Sequence, residues 1–390
     1  MNRIISLSVL VCLLFLDARA QYATNIVTGA ARTEAYLPLL KNKRVALLVN
    51  QTATIGHTHL VDSLLKLHVR IQKIFSPEHG FRGNADAGET VANSTDEKTG
   101  LPIVSLYGAH RKATAADLQD VDIIIFDIQD VGARFFTYIS SLQEIMESAA
   151  ANNKPLLILD RPNPNGDYVD GPILDTAFRS FVGMQRVPVV HGMTVGEYAK
   201  MLNGEGWLSN KRTCQLTVIT CKNYDHHTFY ELPVKPSPNL PNMAAVLLYP
   251  SICFFEGTAI SLGRGTDKPF QVYGSPELPK QGYTFTPRSV EGAKNPPLKD
   301  QQCYGEDLSH SPEAAPGKHR QLQLKWLISA YQAFPQKDKF FIPFFNKLAG
   351  NSQLMQQIKN GASEADIRKS WEPGLSRFKA VRKKYLLYAE

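Results

Sequence analysis

The stretch DIIIFDIQDVGARFFTYISSLQEIMESAA, Asp122 to Ala150, decides the fold. Ile123 to Phe126 run without a polar break, which reads as a strand that is apolar on both faces. The second half, FTYISSLQEIMESAA, repeats apolar residues at helical spacing. A two-faced apolar strand leading into a helix is the building block of a parallel sheet covered on both sides. The alternation continues in both directions. VALLVN, VRIQKIF, IVSLYG, PLLILD and QLTVIT are short and β-branched, and HLVDSLLKL and TVGEYAKMLN carry helical spacing. From about Arg44 to Asn223 the chain therefore predicts an α/β domain with a doubly wound, mainly parallel sheet.

Beyond Asn223 the texture changes. KPSPNLPNMAAVLLYP is proline-rich, FFEGTAISLGRGTDKPFQVYGSPEL is rich in loops and glycine, and helical spacing returns from about Gln321. This predicts a division into 21–240, the α/β domain, and 241–390, a smaller α+β auxiliary domain. The first twenty residues have a basic start, an apolar run from Ile4 to Leu16 and an Ala-Arg-Ala end, the pattern of a removed secretory signal. A periplasmic or secreted location, without stable membrane insertion, is expected. The net charge of +7 gathers in part at Arg377, Lys379, Arg382, Lys383 and Lys384, read as a solvated helix face. Nothing points to a nucleic-acid partner. Cys214, Cys221, Cys253 and Cys303 are too few for a disulfide scaffold, and the extended segment QLTVIT holds Cys214 and Cys221 too far apart to bridge.

Ligands of doubly wound sheets bind beyond the carboxyl ends of the strands. Five predicted strands deliver polar residues there: Asn50 and Gln51 after VALLV, Glu78 and His79 after IQKIF, Tyr107 after IVSL, Asp127, Gln129 and Asp130 after IIIF, and Asp160, Arg161 and Asn163 after LLIL. Glu78 follows Pro77, which restricts its backbone, and a carboxyl in such a crevice suits general acid chemistry. The alternative is a structural carboxylate paired with Arg82 or His79. Asp130 with Arg134 is open to a simple helix-surface pair, and LDRPNPNG to a plain turn. His191 precedes a helix whose Thr194 and Glu197 form a capping box. Farther on, Asn239 sits in PSPN, and Glu256 and Arg264 are poised either to clamp a substrate or to pair with each other.

No dinucleotide fingerprint or Walker motif follows a strand, so no nucleotide cofactor is expected. A metal site would need His79, Asp130, Asp160 and His191 to converge, and no metal-ligand spacing supports one.

Taken in order, NQTA, FSPEHGFRG, SLYG, DIQDVGARFFTYI, LDRPNPNG, VDGP, HGMTVGEYA, PSPN and FEGTAISLGRGT resemble the signature blocks of the exo-β-N-acetylmuramidases of the NamZ family, long known as the domain of unknown function DUF1343. The resemblance runs from about Arg44 to Tyr273 and implies a Rossmann-like domain with a smaller auxiliary domain and a cleft between them. It implies hydrolysis of terminal non-reducing N-acetylmuramic acid from peptidoglycan fragments, in wall recycling or scavenging, with Glu78 as the acid and His79 and Arg82 tuning or positioning it. Asp127, Asp130 and Glu256 compete for the role of second carboxylate, and Arg82, Arg134, Arg161 and Arg264 for recognition of the lactyl carboxylate. A wall-fragment binding protein without turnover, or a metal-dependent esterase or phosphoesterase, is the rival expectation.

Overall fold

In the computed structural model, which describes residues 26–82, 93–317 and 320–390, the apolar runs pair into one main sheet. The leader-like segment 1–20 lies outside the described residues. In chain order the strands are β1 (Val45–Val49), the hairpin β2 (Thr54–Ile55) and β3 (Thr58–His59), β4 (Ile71–Ser76), β5 (Ser94–Thr95), β6 (Pro102–Ser105), β7 (Ile123–Asp127), β8 (Leu156–Leu159), β9 (Leu216–Ile219), β10 (Val272–Ser275), β11 (Tyr283–Phe285) and β12 (Cys303–Asp307). Seven form the main sheet in the order β5-β6-β4-β1-β7-β8-β9. Every pair is parallel except β5 with β6 at the edge. β10, β12 and β11 form a separate antiparallel sheet.

The winding reverses at β1, which lies between β4 and β7. A crevice opens at such a reversal, beyond the carboxyl ends of the strands.

The helices are α1 (Thr33–Leu40), α2 (Leu60–Lys66), α3 (Tyr138–Ala151), α4 (Val195–Gly204), α5 (Met243–Ile252), α6 (Lys325–Ala333), α7 (Lys337–Phe340), α8 (Phe345–Ala349), α9 (Gln353–Lys359) and α10 (Glu364–Arg382). Strand alternation sorts the core into two layers. Val45, Leu47 and Val49 pack with Tyr36 of α1 and Leu64 of α2, whereas Ala46 and Leu48 pack with Leu142 of α3 and Leu202 of α4. Both faces of the sheet are thus dry, as its unbroken apolar strands require. The second layer continues through Leu248 of α5 to Phe345 of α8 and Trp371 of α10, so the later helices pack into the same apolar cluster.

Two local expectations hold: Thr194 and Glu197 make the capping box of α4, and Cys214 and Cys221 are not bridged. No helix among the described residues is long and apolar enough to cross a membrane. One is corrected. Arg382 is not on a solvated face: it is buried, and its guanidinium donates to the carbonyl of Gly192. A guanidinium long enough to reach an unsatisfied carbonyl is drawn inward, where that hydrogen bond offsets its desolvation.

Candidate active site

A cavity of about 490 Å³ opens beyond β4 and β6. Glu78 enters it from the turn after β4. His79 and Gly80 both have positive φ, 69° and 75°, so the chain reverses sharply here. A histidine in that region costs backbone energy, of order 1 kcal/mol, and such strain is kept where the surrounding structure enforces it. The turn leaves the half-buried Glu78 carboxyl facing the cavity while His79 goes under cover. His79 Nε2 lies 3.3 Å from Ser237 Oγ, which ties the turn to the PSPN segment.

Two hydroxyls hold the Glu78 carboxyl. Tyr107 donates to Oε1 at 2.9 Å and Thr137 to Oε2 at 2.7 Å. Burial, and then the charge of Glu78, push the Tyr107 phenol well above its ordinary range, so it remains a donor. Thr137 stands at the N-cap position of α3 but makes no cap hydrogen bond. Its hydroxyl serves Glu78 instead. Both hydroxyls can also rotate to accept, so the same geometry orients the carboxyl whether or not it carries a proton.

Another part of the wall comes from the later part of the chain. Glu256 and Arg264 line the cavity as an ion pair, with Arg264 Nε at 2.9 Å and Nη2 at 2.5 Å from Glu256 Oε1. Arg264 also lies 4.9 Å from the centre of the Phe270 ring. Phe136, Tyr249 and Phe270 follow one another at ring distances of 5.5 and 4.9 Å, giving an apolar surface that suits the carbon face of a pyranose ring. Of the two readings of Glu256 and Arg264, the pair forms, and it forms inside the cavity. Among the described lining residues the carboxylates are Glu78 and Glu256.

The remaining candidates lie elsewhere. Arg82 stacks on Phe81 and pairs with Asp96 at 2.7 Å, so it is not the partner of Glu78. Asp127 and Arg161 make a fully buried bidentate pair at 2.5 and 2.9 Å. Asn50 Oδ1 accepts from Thr52, Gln51 Nε2 donates to the carbonyls of Lys235 and Pro236, and Gln129 Nε2 donates to those of Asp130 and Pro162. Asn163 bridges Asn165 and Met193, and Asn239 donates to Gly292. Arg134 is not paired with Asp130. It is fully buried and donates to the carbonyls of Pro172, Val187 and Leu348, and burial pushes its pKa down to about 9.

Asp130 does not reach the cavity either. It accepts from the Gly132 amide at 2.6 Å and lies 3.9 Å from His191. Burial raises the Asp130 carboxyl to about 7, and burial, followed by the Arg382 and Arg134 charges, lowers His191 to about 3, so both are driven toward their neutral forms. Asp160 accepts from Thr194, Gly196 and Tyr388, and burial raises it to about 6 despite those bonds. His79, Asp130, Asp160 and His191 do not converge, and no group of three metal-ligating side chains is present among the described residues.

The sequence reading missed Thr137, Arg111, Phe181 and Ser237. Thr137 carried a signal, since a threonine at the head of a helix is a hydroxyl in search of a partner. Arg111, in the loop GAHRKAT, carried none.

Comparisons with known proteins give the family. A family model described as exo-beta-N-acetylmuramidase NamZ, N-terminal, matches residues 45–244, and its C-terminal counterpart matches 247–388. The chain belongs to the NamZ family. Its relatives include the peptidoglycan beta-N-acetylmuramidase NamZ of Bacillus subtilis strain 168, 38% identical over 378 residues that cover 90% of this chain and 89% of that one. Two crystal structures of DUF1343 family proteins from Bacteroides fragilis superpose with TM-scores of 0.86 and 0.79 at 49% and 28% identity. Each covers 94% of this chain and 99% of its own. In this NamZ-family chain the Ser-Pro-Glu-His-Gly block supplies a carboxyl that faces the cavity, and the FEGTAISLGRGT block supplies Glu256 and Arg264 of its wall.

Proposed function

We propose that the protein is an exo-β-N-acetylmuramidase that hydrolyses terminal non-reducing N-acetylmuramic acid from peptidoglycan fragments. Family membership supports the activity. The observation that carries the reading to this chain is Glu78, held at both oxygens by Tyr107 and Thr137 and facing a cavity with an aromatic wall. Glycoside cleavage uses a general acid that protonates the leaving oxygen and a second carboxylate that either activates the attacking water or bonds to the anomeric carbon until water displaces it. Glu78 takes the first role. Glu256 takes the second, because it is the other carboxylate among the described residues that line the cavity, whereas Asp130 is sealed away. His79 positions the turn through Ser237. The leader-like first twenty residues support a periplasmic or secreted enzyme, where such fragments are found.

The test is release of 4-nitrophenol from 4-nitrophenyl β-N-acetylmuramide, with the N-acetylglucosaminide as control and EDTA present. Hydrolysis of the muramide alone is expected. Muramide hydrolysis that disappears with EDTA contradicts a metal-free mechanism, and turnover of neither sugar by a protein that still binds wall fragments supports a binding protein.

A further inference from the structure

The reading above leaves open which residue tells a muramic acid from a glucosamine, and the arginines singled out in the sequence do not answer it. Arg82 pairs with Asp96, Arg161 with Asp127 and Arg264 with Glu256, while Arg134 is buried among carbonyl groups. One guanidinium on the cavity wall remains. Arg111, in the loop after β6, has no carboxylate partner among the described residues and is exposed.

Arg111 is nonetheless fixed. Its guanidinium carbon lies 4.4 Å from the centre of the Phe181 ring, and Phe181 in turn meets Tyr107 edge-on at 6.2 Å. Tyr107 holds Glu78. One chain of contacts therefore runs from the proposed acid to the cation. Stacking on an aromatic face stabilises a guanidinium and leaves its N–H edge available to a carboxylate. The location is also special. Arg111, Ser180 and Phe181 line both the first cavity and a second one of about 590 Å³, and so form the neck between them. Ser180 Oγ is buried at this neck without a hydrogen-bond partner. Other cations of the second cavity are engaged: Lys112 lies 3.2 Å from Glu144, and Arg179 donates to Gln185.

We infer that the neck formed by Arg111 on Phe181 is a carboxylate site, and that Arg111 receives the lactyl carboxylate that distinguishes N-acetylmuramic acid from N-acetylglucosamine. This rests on the muramidase reading and names its specificity residue. A planar carboxylate meets a guanidinium through two parallel charge-assisted hydrogen bonds, which a neutral ester cannot match. The second cavity gives the lactyl arm room beyond the sugar.

The experiment compares 4-nitrophenyl β-N-acetylmuramide with its lactyl methyl ester in wild type, Arg111→Met and Arg111→Lys, with melting temperatures to verify folding. The wild type is expected to favour the free acid in kcat/KM by about thirtyfold, the scale of a charge-assisted hydrogen bond. In Arg111→Met that preference falls to about one, and Arg111→Lys lies between. An Arg111→Met enzyme that keeps the wild-type preference overturns the inference. Should the wild type hydrolyse neither compound, it is the muramidase reading that fails, and calorimetry with N-acetylmuramic acid and its methyl ester decides the carboxylate site: loss of the preference for the acid in Arg111→Met upholds it, and an unchanged preference overturns it.

Discussion

The rim of the main sheet has two halves built from similar residues with opposite fates. Beyond β4 and β6, Glu78 is met by the hydroxyls of Tyr107 and Thr137 and borders an open cavity. Beyond β1, β7 and β8, Asp127 closes on Arg161, Asp160 is consumed by Thr194, Gly196 and Tyr388, and Asp130 is buried beside His191. The difference teaches that a carboxylate at a switch point is not thereby a catalyst. A buried charge must be neutralised or paired, and a carboxylate that is paired or neutralised away from the cavity cannot reach a substrate. The chemistry proposed for Glu78 lies on the half where the rim stays open.

The strongest way to break this contrast is on the sealed half. Arg161→Met leaves Asp127 charged and unpaired in the core, and is expected to destabilise the fold by about 3–5 kcal/mol in urea unfolding. Turnover per folded molecule should stay near that of wild type. A large loss of turnover without loss of stability would move Arg161 into the active site.

Asp130 allows a test by pH. Its folded pKa of about 7 lies above the ordinary carboxyl value, so the native state holds a proton that the unfolded chain has released. Stability from this group is present below about pH 4 and is lost as pH rises through 7. His191 acts in the opposite sense, because a pKa lowered to about 3 makes stability fall as pH drops from about 6.5 toward 3. Asp130→Asn removes the first effect, so its stability relative to wild type should improve between pH 4 and 7, by up to about 4 kcal/mol. A difference that does not vary with pH contradicts the buried neutral acid.

The smallest effects are expected at the two hydroxyls that hold Glu78. Tyr107→Phe and Thr137→Val each remove one hydrogen bond from the Glu78 carboxyl, worth about 1.5–3 kcal/mol, and should lower kcat by roughly tenfold to a hundredfold with little change in melting temperature. Wild-type kcat in both variants would show that the hydroxyls do not organise Glu78.

Much of this was legible before the structure. Unbroken apolar strands alternating with helices required a doubly wound sheet, and Pro77 before Glu78 at a strand end drew attention to the carboxyl proposed as the acid. What the sequence withheld was pairing. Asp127 and Arg161 looked like two site residues because each follows an apolar strand, yet β7 and β8 are neighbours, and opposite charges on adjacent strand ends find each other. Arg264 and Glu256 are eight positions apart and their ion pair could be anticipated, but its presence on the cavity wall could not. Thr137 read as an ordinary helix start, and Arg111 became visible only once Phe181 was seen beneath it.

The central claim is that Glu78 does the chemistry, and a matched pair of readings on Glu78→Gln tests it most directly. Gln is close to isosteric, so the melting temperature should stay near wild type while turnover of 4-nitrophenyl β-N-acetylmuramide falls by at least about a hundredfold. A folded Glu78→Gln protein with near-normal turnover would contradict the account.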